Sequence, residues 1–222
     1  MEKNAGSAGI YAKNNARTCC AGVAGMLQLS CTQKPASHDR QNGSKRCHGK
    51  GDFGMKVAMI GHKDFPSRSG GVEVMVGGLA VSLVRRGYEV TVYNRGLQKG
   101  HNVYTTEGVQ ARRIFTFQKA ALNAMVYSFL ATFDALIRNY DVIHYHAIGP
   151  SVPLVIAKLF GKHTVCTVHG LNWKVDKWGG FASAYLKLGE RVAAKYADDL
   201  VVLSESEWNY FQEKYDRTAI LI

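Results

Sequence analysis

From Met55 onward the chain alternates between short apolar runs and longer stretches in which apolar residues recur every three or four positions. "KVAMIG", Lys56 to Gly61, is almost unbroken in its apolarity, as a strand covered on both faces is. Val72, Met75, Val76, Leu79, Ala80, Leu83 and Val84 then follow the i, i+3, i+4 spacing of an amphipathic helix. That helix is expected to close at "RRG", with Gly87 in the left-handed cap. "EVTVYN" reads as the next strand. Strand, glycine turn, helix, strand is a βαβ unit, which forces parallel pairing through a right-handed crossover.

The alternation runs to the chain end. "GVQARRIFTF" is a strand and Ala120–Ile137 a helix, then "DVIHYHA" is a strand, "SVPLVIAKLFG" a helix and "HTVCTVHG" a strand. A long helix is expected over Phe181–Tyr196, a strand at "LVVLS", a helix over Glu205–Tyr215 and a strand at "TAILI". Six or seven strands alternating with helices predict an α/β fold, a Rossmann-like, doubly wound and mainly parallel sheet. Gly77 and Gly78, inside the first helix, read as sites of close packing.

Residues 1–54 differ. They show no sustained period of 2 or 3.6, and "LQL" is their strongest apolar cluster. Such a segment cannot bury enough surface to offset its ordering entropy, so it is expected to be disordered. The residues before Met55, "GKGDFG", back-translate to a purine-rich run at the distance of a bacterial ribosome-binding site. Two expectations stay open: translated upstream DNA with Met55 the native start, or a genuine disordered extension. Residues 55–222 form the domain in either case.

Charge changes the picture modestly. The net of +11 divides into +5 for residues 1–54 and +6 for residues 55–222. A +6 bias suits phosphate-bearing ligands or an anionic membrane surface and does not single out nucleic acid. Four cysteines (Cys19, Cys20, Cys31, Cys47) lie in the first segment at no metal-ligand spacing. Cys166 sits in an apolar run as a small buried thiol. The domain is therefore expected to be cytoplasmic. Ala120–Ile137 carries Asn123 and Asp134, so a core helix or one lying on a membrane is expected rather than a span.

In open parallel sheets, ligands bind beyond the carboxyl ends of the strands. "GHKDFPSRSGGVE", "HYHAIGPS", "VHGLNWKVDKW" and "SESE" all fall at that edge. Gly70 and Gly71 precede the first helix, where free N–H groups and the positive dipole end suit a phosphate; a plain tight turn would also call for them. Gly61 and Gly70 stand too far apart for the dinucleotide fingerprint, which disfavours a nicotinamide oxidoreductase. His169 ends its strand beside Gly170 and suits a hydrogen bond to a sugar hydroxyl or phosphate. His144 and His146 share one face of a strand, with Tyr145 on the other. "LNWKVDKWGG" offers Trp173 and Trp178 for stacking on sugar rings and Lys174 and Lys177 for phosphate. No Ser-His-Asp arrangement, P-loop or H-E-x-x-H is present.

Taken in order, "MKVAMIGHKDFPSRSGGVEVMVGGLAVSLVRRGYEVTVYNR", "DVIHYHAIGPS", "TVHGLNWKVDKWG" and "ADDLVVLSESEWNYF" resemble the N-terminal, acceptor-side half of bacterial family 4 glycosyltransferases. The resemblance implies the GT-B architecture, two Rossmann-like domains facing a cleft. It implies transfer from a nucleotide-sugar donor with retention of configuration and without a metal or other cofactor. By that resemblance the backbone at Gly70 and Gly71 approaches the donor diphosphate, and His169 touches the donor sugar as the catalytic residue. Arg68, His146, Asn172, Trp173, Lys174 and Lys177 fall on the acceptor side. The implied partners are the donor and a glycan or lipid-linked acceptor; peripheral contact with an anionic membrane is expected from the +6 charge and the apolar Ala120–Ile137 helix, and no contact with nucleic acid.

The family's second half carries most of the nucleotide site and a pair of glutamates eight residues apart. This chain ends at "TAILI", so it is expected to be half an enzyme, inactive alone. A non-catalytic phosphate- or glycan-binding module, or an inactive gene fragment, are the alternatives.

Overall fold

A computed structural model describes residues 54–96, 103–117, 120–171 and 180–222. The expectation for residues 1–54 therefore falls almost wholly outside the described residues. Eight strands form one sheet: β1 Lys56–Ile60, β2 Glu89–Gly96, β3 Val103–Thr106, β4 Val109–Phe115, β5 Val142–His146, β6 His163–Thr167, β7 Asp199–Val202 and β8 Ile220–Leu221. Among the described residues five helices connect them: α1 Gly71–Arg85, α2 Ala120–Ile137, α3 Leu154–Leu159, α4 Gly180–Tyr196 and α5 Glu205–Tyr215. The strand order is β3-β4-β2-β1-β5-β6-β7-β8. Every pairing is parallel except β3 with β4. Strand order reverses between β1 and β5, where Ile60 lies opposite Tyr145, and that reversal opens the ligand crevice of a doubly wound sheet.

Both faces are covered, which is why the central strands read as unbroken apolar runs. On one face Val57, Met59, Val90 and Val92 pack against Val76, Leu79 and Leu83 of α1. On the other, Ala58, Ile60, Ile143 and Tyr145 join residues of α2, α3, α4 and α5 in the larger cluster. The alternation is visible within β5, where Ile143 and Tyr145 face one cluster and Val142 the other.

β3 escaped the sequence pattern. Its four residues are half exposed, and it is an edge strand returning on β4 through Glu107 and Gly108. Both turn residues have positive φ, 53° and 80°, the signature of a hairpin turn whose twist suits antiparallel strands. The helix expected from Ser151 is shorter than its pattern. Pro153 caps α3, and the preceding residues form turns. Gly87 does take the left-handed conformation, with φ 92°.

The close-packing glycines lie elsewhere than expected. A Cβ on Gly77 would meet Phe65 at an ordinary contact distance, and one on Gly78 would meet nothing within 4 Å. Gly189 in α4 is the tight position, since a Cβ there would fall 1.9 Å from the Ile148 carbonyl oxygen. The absent side chain lets the Ser151 hydroxyl donate to the Gly189 carbonyl at 3.0 Å, locking α4 to the turn that follows β5.

The "SESE" stretch after β7 caps the helix that follows it. The Ser204 hydroxyl accepts the Glu207 N–H at 3.2 Å, and the Glu207 carboxylate accepts the Leu203 N–H at 3.2 Å, a reciprocal arrangement of capping-box type.

Candidate functional site

The carboxyl ends of β1, β2, β5 and β6 converge on the N-terminus of α1. At the end of β1 the chain turns through Gly61, whose φ of 128° and packing on the His146 carbonyl leave no room for a side chain. His62 follows, buried, with its Nε2 paired to Asn94 Oδ1 at 2.8 Å. Asn94 is fully buried and acts as a hub. Its amide nitrogen donates to Asp64 Oδ1 and to the Phe65 carbonyl, both at 2.9 Å, and lies 2.8 Å from the Tyr104 hydroxyl. The loop between β1 and α1 is thus tied to the end of β2.

Arg95, next along β2, donates from Nη2 to the Gly61 carbonyl at 2.9 Å and lies over the Tyr127 ring, 5.2 Å from its centre. Burial lowers the pKa of its guanidinium, while Tyr127 and Glu73 act in the opposite sense. Gly61 N–H in turn donates to the Tyr127 hydroxyl at 3.2 Å.

Gly70 caps α1 in extended backbone, and no side chain caps the helix there. Gly71 is exposed, and a Cβ placed on it would meet nothing within 4 Å. The first-turn N–H groups are therefore approachable from solvent at Gly71. Over Gly70 the space is taken by the Glu73 carboxylate, which folds back from the first turn and accepts the Lys63 N–H at 3.4 Å. Glu73 is only 7% exposed, and its charge raises the proton affinity of His62, Arg95 and His169. Arg68 stands exposed on the same loop and makes no ion pair among the described residues.

Three histidines form a file behind the helix terminus. The His144 and His146 rings stand 4.1 Å apart, on one face of β5 as the alternation predicts. His144 Nε2 pairs with Thr167 Oγ1 at 2.8 Å. His146 is fully buried, and its Nδ1 lies 3.3 Å from Nε2 of His169, which is half-buried at the end of β6. Burial lowers the pKa of all three; His144 falls to about 3, and His146 well below the usual histidine value with His144 and His169 adding to the effect. His146 and His144 are held neutral at physiological pH, and the His146–His169 contact orients the outer ring. Ala147, directly after His146, holds φ 76°, a conformation that costs a residue with a side chain about 1 kcal/mol. Its N–H donates to the Thr167 carbonyl at 2.8 Å, which keeps the β5 end bent around the cluster.

The sequence-predicted residues Gly70, Gly71, Arg68, His146 and His169 thus sit along one edge, with His146 behind His169 rather than at the surface. Asn172, Trp173, Lys174 and Lys177 lie outside the described residues. Glu73, Asn94, Arg95 and Tyr127 were not anticipated. Asn94 and Arg95 stand at the end of β2, so reading that strand's end as the others were read would have found them. Tyr127 carries no such signal, because its hydroxyl reaches the edge from within a helix.

This arrangement, a mainly parallel sheet with a helix N-terminus free of side-chain caps and polar side chains at its switch point, defines a Rossmann-like domain. Among solved structures, sucrose-phosphate synthase from Thermosynechococcus elongatus matches with a TM-score of 0.62 and 16% identity, over 76% of this chain and 47% of that one. A second, shorter chain of the same synthase matches with a TM-score of 0.52 and 12% identity, over 76% of this chain and 86% of that one. At these identities the likeness is one of fold, and the chain spans about half the length of the first of them. No curated protein sequence matches. Residues 69–220 match the family model Glycosyltransferase Family 4, and the chain belongs to that family.

Proposed function

We propose that the chain supplies one half of a retaining, nucleotide-sugar-dependent glycosyltransferase. It acts in the cytoplasm, at the membrane face, on a glycan or lipid-linked acceptor in surface polysaccharide or glycolipid synthesis. The observation that carries the reading is the open, uncapped start of α1 at Gly71, set in the same crevice as His169. There the free N–H groups bind the donor diphosphate and the dipole favours its charge. His169 meets the sugar, and His146 holds the His169 ring in one orientation. Glu73 favours the charged form of the buried Arg95, and the approach for a phosphate is at Gly71 rather than over Gly70, which the Glu73 carboxylate covers. Catalysis rests on positioning and charge stabilisation, with the leaving phosphate assisting deprotonation of the acceptor and no metal required. A second domain completes the cleft and binds most of the nucleotide.

Ligand-detected NMR with a panel of UDP-, GDP- and ADP-sugars tests this in a range that includes dissociation constants of about 1 mM, or about −4 kcal/mol. Gly71→Asp is the informative variant. Replacing glycine and placing a carboxylate in the first turn favours the helix by about 0.5–1 kcal/mol, so the thermal midpoint should hold or rise. Donor binding should nevertheless fall about tenfold or more, because the new charge occupies the phosphate position. With the second domain supplied, no binding by any donor, or binding indifferent to Gly71→Asp, would count against the reading.

His169→Ala should lower transfer by about 10²–10³-fold, the range for losing one positioned donor to a developing charge. The assay requires the second domain, supplied in the same polypeptide or as a separate chain. His146→Leu stays close to histidine in volume and removes the Nδ1 contact, so its effect should be smaller and should fall on kcat. Equal activity in the wild type and His169→Ala would remove His169 from the chemistry.

A further inference from the structure

Arg95 carries a charge that nothing among the described residues neutralises by contact. Its guanidinium offers five donors. Nη2 donates to the Gly61 carbonyl at 2.9 Å, Nη1 reaches Asn123 Oδ1 only at 3.4 Å, and the buried Nε–H has no acceptor. Among the described residues no carboxylate stands within ion-pair distance of it. Glu73 acts on it from further away, and the Asp64 carboxylate accepts from Asn94. The sequence that continues from β2 to β3 and from β4 to α2, residues 97–102 and 118–119, contains no Asp or Glu. Desolvated cations are ordinarily paired, because neutral acceptors do not repay the lost hydration. Holding the Gly61 carbonyl alone would need one neutral N–H. A planar, cationic fork suits an oxyanion instead.

Position decides which anion that is. Arg95 is partly exposed at the ligand edge of β2, two residues beyond Tyr93, and so faces the same side of the sheet. Tyr93 and Tyr127 both belong to the cluster on the α2 face, and the guanidinium lies over the Tyr127 ring. α1 packs on the opposite face, so Arg95 and the helix start at Gly71 serve different sides of the crevice. His169 is also remote. β2, β1, β5 and β6 lie side by side, so the ends of β2 and β6 are three strand spacings apart, about 14 Å. An anion on Arg95 is therefore neither the donor diphosphate at Gly71 nor the sugar at His169. The acceptor remains.

We infer that Arg95 binds an oxyanion, a phosphate or a carboxylate, carried by the acceptor at a distance from the hydroxyl that receives the sugar. The inference rests on the transferase reading and narrows its acceptor to an anionic one. The same guanidinium is tied to Gly61, whose backbone packs against the His146 carbonyl, and His146 in turn contacts His169. The anion site and the reacting centre are thus joined through strand ends rather than through loops. An acceptor gripped by its anion is held in register with His169.

The test is ligand-detected NMR of the full 222-residue chain with glucose 1-phosphate, glucuronate and neutral glucose as probes. At least one of the two anions should bind and glucose should not; the tighter anion says whether phosphate or carboxylate is the group read. Arg95→Met keeps an apolar stem over Tyr127 and removes the charge, so anion binding should fall about 10–100-fold. Arg95→Lys keeps the charge without the fork and should restore part of it. In proton–nitrogen spectra the Arg95 Nε–H signal, identified by its loss in Arg95→Met, should shift as the anion is added. A merely structural Arg95 would lower the melting temperature of Arg95→Met and leave anion affinity unchanged, which overturns the inference. So does binding of neither anion, or binding that Gly71→Asp abolishes and Arg95→Met preserves. Should Arg95→Met not fold, the Arg95→Lys affinity and the remaining arginine Nε–H signals decide. Donor binding is read separately with nucleotide sugars, so its failure beside a sound anion site would sink the transferase reading, and the reverse result would sink only this inference.

Discussion

Lowering the pH from 7 to 5 should remove about 4 kcal/mol or more from the folding stability of this chain, a large part of an ordinary domain's roughly 5–15 kcal/mol. The cause is the set of buried histidines at the strand-end site, His62, His144 and His146. Burial takes His62 to a pKa of about 4 and His144 to about 3, and holds His146 well below the usual value. In the unfolded chain each returns to about 6.5. Between those limits the unfolded state binds more protons than the folded one, so stability is full above pH 6.5 and is lost as pH falls. His62 and His144 stay neutral at pH 5 while their unfolded counterparts are charged, which costs about 2 kcal/mol each, and His146 acts in the same direction.

His163 works in the other direction. Its pairing with Asp199 at 2.8 Å raises its pKa, so its contribution is fully present below pH 6.5 and fades as pH rises. It is a partly exposed group, and solvent screening keeps that contribution well below the combined effect of the buried three. Urea unfolding followed at pH 7, 6 and 5 would show the midpoint dropping steeply over this range. A midpoint that barely moves would mean the three rings find a way to hold protons inside the fold.

Those histidines illustrate what was legible in the sequence and what was not. The alternation of "VIHYH" placed His144 and His146 on one face, because strand periodicity is a local property. It could not show that His146 would lie behind His169, since that contact spans two strands and depends on which are neighbours. Sheet order is likewise a non-local outcome. The glycine pair was readable as a helix start, but the Glu73 carboxylate folded over Gly70 was not, because nothing in "GGVE" says which way the side chain turns. β3 was missed because a half-exposed edge strand lacks the buried face that writes a pattern into sequence.

Glycine is where sequence and structure diverge with the largest energetic consequence. Gly61→Ala should destabilise the fold by about 3–5 kcal/mol, from backbone strain and overpacking together. The position has φ 128°, which disfavours any side chain, and the new methyl carbon would fall 2.1 Å from the His146 carbonyl oxygen. That neighbour is strand backbone, paired to β6, and cannot swing aside as a flexible side chain would. Relief requires β1 and β5 to separate at their carboxyl ends, where the crevice opens, so the variant should also disturb the His146–His169 contact. Gly78→Ala supplies the contrast. Gly78 is exposed within α1 with open space around its Cβ position, so the same substitution should stabilise by about 0.5–1 kcal/mol. Chemical denaturation of both variants against the wild type should therefore give shifts of opposite sign. If Gly61→Ala falls within 1 kcal/mol of the wild type, the close approach of β1 to β5 does not set the site's shape, and the constraint on His169 must come from the segment that follows it.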